Sequence, residues 1–514
     1  MSIRLNRQRL KWPGTEEEMC VNSCGMIFGL CISAAIALPL IMLLSMAGSA
    51  AIIHAGGDIQ RSIDSASPGD TIIVGPGVYE KFTVNKRLNL IGDGATVIAS
   101  SSDACISVEA DMVNITGFTV RNGLYGIRLS RVRGCSITNN TVTGCKQPGI
   151  VLLTSSGNTI ANNNASYNGV VGEGWYGIYL TDSSNDNLIV NNIASNNGAY
   201  GIHLSTLCSN NTLRGNTLNG NMYGVYMFTG CSNNIIEKNL ISGNKANGID
   251  LRFNCNHNII RNNTITDNQV AGISLLDSGE NEILSNDIRS NIRFGIQIQG
   301  KSDANTVVGN NITRSPTGIF VESNSNIFHS NRLIDNVVQA VDRGENIWNA
   351  PYPVGGNAWS DYSGVDERSG PAQDVPGADG FGDTPKEIGN RSRDMYPLMG
   401  YELKPIKILN ASLPEEIEAG EQLLIKAWIE SVNGLSQVSA RIPESRSYVR
   451  LYQAGDHYEG ALTTALLDPG EYSVVITATD RRGYELEEVI GRFRITPRAG
   501  RSFEAAMAQL RGRS

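Results

Sequence analysis

The chain has no basic stripe: 42 Lys and Arg stand against 50 Asp and Glu, a formal charge of −8 over 514 residues. Without clustered cations nothing is available to displace counterions from phosphate, and a nucleic-acid surface is excluded. Aromatics are scarce at 6%, His numbers only five, and the nine cysteines include no Cys-x-x-Cys pair, which removes the standard zinc sites. The 3.6-residue period of helical repeats is missing, and so is the Leu-x-x-Leu-x-Leu signature of leucine-rich repeats. What is plentiful is Gly, at 55, together with Asn. That is the composition of a turn-rich all-β protein.

Charge is also missing from Met19 to Gly57, an apolar run longer than the ~20 residues needed to span a bilayer. Arg4, Arg7, Arg9 and Lys11 precede it. The expected layout is a cytoplasmic basic N-terminus over 1–25, a transmembrane anchor or signal segment over 26–55, and a body outside the cell or at its surface. The small residues "AGSAA" at 47–51 leave cleavage open. Eight Asn-x-Ser/Thr sequons, at Asn114, Asn139, Asn164, Asn210, Asn262, Asn311, Asn390 and Asn410, are compatible with an exported glycoprotein.

The body repeats itself. Gly followed by Ile or Val recurs at 126, 149, 177, 201, 224, 248, 272, 295 and 318, in steps of 23 or 24 with one of 28. A second mark keeps the same phase: Asn140, Asn163, Asn192, Asn216, Asn239, Asn263, Asn286, Asn310 and Asn331. Short alternating runs at this period fit one turn of a right-handed parallel β-helix, each coil stacked ~4.8 Å above the last. The in-phase asparagines are expected to form a structural ladder at one corner. Gly marks another corner, where a positive φ or a close backbone approach is required.

The expected order is a β-helix with its N-terminal cap over 56–341, a Gly/Pro/Asp-rich capping segment over 342–402, an immunoglobulin-like β-sandwich over 403–497 and a tail over 498–514. The stretches "IQRSIDSASPGDTIIVGPGVYEKFTVNKRLNLIG", "NAWSDYSG", "DGFGDTP" and "DMYPLM" resemble the NosD-like right-handed parallel β-helix proteins of archaeal envelopes, over roughly residues 56–399. The resemblance implies a periplasmic accessory role in copper supply to nitrous oxide reductase, and related β-helices bind or cleave polysaccharides. Copper delivery calls for clustered Met, His or Cys. No Met-rich or His-rich tract is present.

Alternation places the residue between the two aliphatics of each Gly-Ile repeat on the outward side. That column reads Arg128, Val151, Tyr179, His203, Tyr226, Asp250, Ser274, Gln297 and Phe320, with Tyr125, Tyr176, Tyr200, Tyr223 and Phe294 just before Gly. Tyr179, His203 and Tyr226 are the candidate sugar-binding residues, as outward rings pack on sugar C–H faces. The aromatics before Gly have a second reading, as cover for the corner. Asp250 and Arg252 are the catalytic candidates for a polysaccharide lyase, epimerase or hydrolase. Cys208, Cys231 and Cys255 recur in successive coils beside Ser155, Ser183, Ser302 and Ser323, as a buried ladder, a disulfide or a copper site. Asp374, Asp379 and Asp383 are candidate Ca²⁺ ligands, outside any EF-hand spacing. The leading expectation is a non-catalytic envelope protein that needs no cofactor and binds a carbohydrate polymer or another envelope component, with the membrane reached through its N-terminal segment. The alternatives are the polysaccharide enzymes and a copper accessory protein.

Overall fold

The computed structural model describes residues 50–497, apart from 101, 170–174, 390, 401–405, 432–433, 446, 466 and 482–484. The expected anchor up to residue 49 and the tail 498–514 lie outside the described residues, among which no helix is long and apolar enough to cross a membrane. One boundary moves. Ile52–His54, placed at the end of the anchor by its apolar character, is the first strand of the solenoid and pairs in parallel with Thr71–Ile73.

Residues 52–359 wind into a parallel β-solenoid with three faces. One face stacks thirteen strands from Ile52–His54 to Ile327–His329, and a second stacks twelve from Phe82–Val84 to Val338–Asp342. The third is split into sheets of four and seven strands. Between them the coils touch through the single bridges Thr141↔Asn164, Asn164↔Ile193 and Ile193↔Thr217. Register is set by the aliphatics after Gly. Ile127, Ile150, Ile178, Ile202, Val225, Ile249, Ile273, Ile296 and Ile319 align coil on coil, all fully buried in the bore. Each such burial contributes roughly 1.5–3 kcal/mol.

The corners show why Asn and Gly dominate. The residue before each in-phase Asn, from Asn139 through Gly215 and Lys238 to Ser330, is left-handed with φ between 53° and 69°. Small polar residues and Gly tolerate that region best. The Gly of the Gly-Ile mark serves the other purpose: a Cβ on Gly248 would lie 2.7 Å from both the Gly272 carbonyl and Ile265 Cγ2. Close packing, not positive φ, fixes it.

Both ends are covered. The helix Ile59–Ser65, N-capped by Asp58 accepting from Arg61 N at 3.1 Å, buries Ile59 and Ile63 over the first coils. At the far end Trp348 stacks on Phe328 at 4.2 Å and neighbours Trp359 at 5.7 Å. Their indole N–H groups donate to the buried carboxylates Asp342 and Asp394. Beyond, strands from Ile406–Ser412 to Glu485–Thr496 form an eight-stranded sheet around its own core of Leu423, Ile425, Leu462, Ile476 and Phe493.

Candidate functional site

On the outside of the twelve-stranded face, three successive coils carry an aromatic belt. The outward column runs Tyr179↔His203↔Tyr226↔Asp250 in direct register. Over it lie the aromatics that precede Gly. Tyr176 and Tyr200 stack at 4.9 Å and 4° between planes, Tyr200 stacks on Tyr226 at 4.5 Å, and Tyr223 meets Tyr200 at 5.4 Å.

This arrangement corrects the expectation that the outward column faces solvent. His203 and Tyr226 are 6% and 9% exposed, Asp250 and Val151 not at all. Alternation sends them out of the bore, but the neighbouring side chains lie flat across them. Tyr179 is half-buried, and the surface layer consists of Tyr176, Tyr200 and Tyr223. Burial pushes the Tyr176 phenol up to about 12 and raises those of Tyr200, Tyr223 and Tyr226, so the belt is uncharged at neutral pH.

Asp250 and Arg252 close one end of the belt. Arg252 donates through Nε to Oδ1 at 3.1 Å and through Nη2 to Oδ2 at 3.0 Å, and Asn247 Nδ2 adds a third bond at 2.7 Å. Burial raises the Asp250 carboxyl while Arg252 and Asn247 draw it back, and Asp250 in turn holds the guanidinium charged. Arg252 also lies 5.7 Å over the Tyr226 ring. Both catalytic candidates are thus engaged with each other, one of them fully buried.

The in-phase asparagines line the bore at one corner. Asn140 begins the ladder, its Oδ1 accepting Phe118 N, and from Asn163 through Asn192, Asn216, Asn239, Asn263, Asn286, Asn310 and Asn331 each Oδ1 accepts the backbone N–H and Nδ2 of the Asn in the coil before. The series ends on Asn357, whose N–H reaches Asp394 at 2.7 Å. Two further ladders escaped the sequence reading: Asn158–Asn187–Asn211–Asn234–Asn258–Asn281–Asn305–Asn326, and Asn168–Asn197–Asn221–Asn244–Asn268–Asn291. They share the period of the first ladder, which was the available signal, and each of these asparagines follows a left-handed residue.

Cys208, Cys231 and Cys255 are free, fully buried thiols stacked in the bore. Each donates to a carbonyl three residues earlier, Ser205, Phe228 and Arg252, at 3.0, 3.5 and 3.2 Å. The serine in their column is Ser184, not Ser183. The Ser184 hydroxyl accepts Ser155 N, whereas Ser183 is exposed and left-handed at the corner.

The acidic segment uses its carboxylates separately. Asp379 accepts Gly370 N, Gln373 Nε2 and Phe381 N, Asp383 accepts Glu367 N and Arg368 N, and Asp374 is exposed. They brace loop backbone and do not converge.

The family described as "Periplasmic copper-binding protein (NosD)" matches residues 63–245 and 208–364, more than half of the sequence. The chain belongs to the NosD family. This NosD protein is 45% identical over 89 residues to a cell surface glycoprotein of Methanothermus fervidus, covering 16% of the chain and 15% of that protein. It therefore spans well under two thirds of the curated relative it matches. Among solved structures it resembles the mannuronan C-5 epimerase AlgE6 A-module of Azotobacter vinelandii at 16% identity and TM-score 0.46, over 57% of this chain and 99% of that one. It also resembles the pectate lyase Pel9A at 17% identity and TM-score 0.42, over 56% of this chain and 80% of that one.

The donors present do not fit the copper of the family's description. Stacking at ~4.8 Å per coil puts the outer two thiols ~10 Å apart, too far to share one ion. Hydrogen bonding to Cys231 and burial raise Cys208 and Cys255, and the same hydrogen bonds lower Cys231 between them, so the column offers one thiolate flanked by two thiols rather than a set of thiolate ligands. Among the described residues no three His, Cys, Asp or Glu converge on a metal position.

Proposed function

We propose that this NosD-family chain is an exported cell-envelope protein that binds a carbohydrate polymer along the aromatic belt and does not turn it over. The observation that carries the reading is the belt itself: half-exposed Tyr176, Tyr200 and Tyr223, one per coil, on a continuous face of a protein otherwise poor in aromatics. One coil rises by about the length of one pyranose unit, so a polymer lying along the solenoid axis meets a ring at each unit. The likeness to a cell surface glycoprotein supports placement at the cell surface, with the apolar N-terminal segment as membrane anchor. Residues 403–497 are read as an immunoglobulin-like sandwich beside the solenoid.

Hydrolysis would need groups this belt does not offer. Hydrolysis calls for two carboxylates across the bond. Asp250 is locked to Arg252, Glu322 pairs with Arg343 at 2.8 Å, and Asp277 accepts Lys301 N. The test is a glycan array with the full-length protein, each bound polymer then assayed for new reducing ends and unsaturated products. Binding without product supports the reading. Product formation overturns the non-catalytic part, and no binding to any polymer overturns the whole.

A further inference from the structure

Beneath the tyrosines lies a polar group that the fold leaves unserved. His203 is 6% exposed, and neither Nδ1 nor Nε2 has a hydrogen-bond partner. Four rings wall it in: Tyr176 edge-on at 4.7 Å, Tyr200 edge-on at 4.9 Å, Tyr179 stacked at 4.9 Å and Tyr226 tilted at 5.2 Å. A solenoid that pairs its corner amides coil after coil would gain by placing Phe or Leu here, since an unmade buried hydrogen bond is costly. A side chain that breaks the local rule at a surface belt points to something that completes it from outside.

We infer that His203 is a recessed contact of the same belt, exchanging a donor and an acceptor with hydroxyl groups of a neutral sugar unit when the Tyr176 and Tyr200 rings turn aside. The inference rests on the belt being a glycan site and names the class of unit it takes. A neutral imidazole offers one donor and one acceptor, the complement of a hydroxyl. In the closed belt burial keeps the ring uncharged, its pKa pushed down to about 3, and no carboxylate faces it that would hold a proton there. The nearby cation, Arg252, is already matched in bidentate fashion by the fully buried Asp250. The belt as a whole is therefore polar but neutral, suited to hydroxylated rather than acidic sugars.

The experiment compares the full-length protein with His203→Phe and His203→Gln, using uronic-acid polymers, each beside its carboxyl-reduced neutral form. The wild type is expected to prefer the neutral form. His203→Phe is expected to raise Tm, since it removes an unsatisfied group, yet weaken binding about tenfold, and His203→Gln, which keeps a donor and an acceptor, to recover part of the loss. The His203 ring resonances, assigned by their loss in His203→Phe, should shift on titration with the neutral polymer. Equal binding by wild type and His203→Phe, or preference for the acidic form, overturns this inference and leaves the belt reading standing. Binding of no polymer by the wild type overturns both.

Discussion

The bore and the belt of the same three coils follow opposite rules. At the corners of the bore, Asn216 has its Oδ1 filled by Asn192 N and Nδ2, while its own Nδ2 donates to Ile189 O at 2.9 Å and Asn239 Oδ1 at 3.0 Å. On the outer side of the twelve-stranded face of the same coil, His203 has both nitrogens unpaired. The difference separates residues kept for stability from residues whose cost the fold carries for another reason.

The largest effect should come from breaking the bore. Asn239→Ala deletes four bonds and strands Asn216 N and Leu213 O, costing about 4 kcal/mol in chemical unfolding. If the loss is under about 1 kcal/mol, the ladders are ornamental. Next comes the junction between the two regions. Arg252→Gln leaves Asp250 buried and unpaired, at about 3 kcal/mol, and the double change with Asp250→Asn should restore most of it.

The ladder's end makes stability depend on pH. Burial pushes Asp394 up to about 6, above the ~3.9 of an unfolded Asp. The folded state then holds its proton more tightly, so this group's contribution is complete below pH ~4 and is lost as pH rises through about 6, on the order of 3 kcal/mol. Tm measured from pH 4 to 7 should fall by this term, and Asp394→Asn should flatten the slope. The smallest effect is expected at Cys231→Ser, within about 1 kcal/mol, because Ser155, Ser184, Ser278 and Ser302 fill the same column without penalty. A large loss there would show that the thiol does more than fill space.

The solenoid was legible because its marks are strictly periodic. Gly248 and the aliphatic after it must recur wherever a coil packs on the next, and the Asn must recur wherever a left-handed corner needs its amides paired. The second ladder was equally written, in the last Asn of "CSNN" at Asn211 and Asn234, but Cys and Ser beside it drew the reading toward thiol chemistry. Burial of the belt was not legible. Alternation fixes the side of the sheet on which Tyr226 or Asp250 emerges, whereas their exposure depends on how Tyr200, Tyr223 and Arg252 lie across them, which is a matter of tertiary packing.

The central claim is most directly tested by one binding comparison on the same face. The double variant Tyr200→Ala/Tyr223→Ala is set against Phe320→Ala, which lies in the same outward column several coils away, with affinity for the array-selected polymer measured by titration calorimetry. The account predicts at least tenfold weaker binding in the tyrosine variant, wild-type affinity in Phe320→Ala, and folded protein in both. Equal affinity in all three would contradict it.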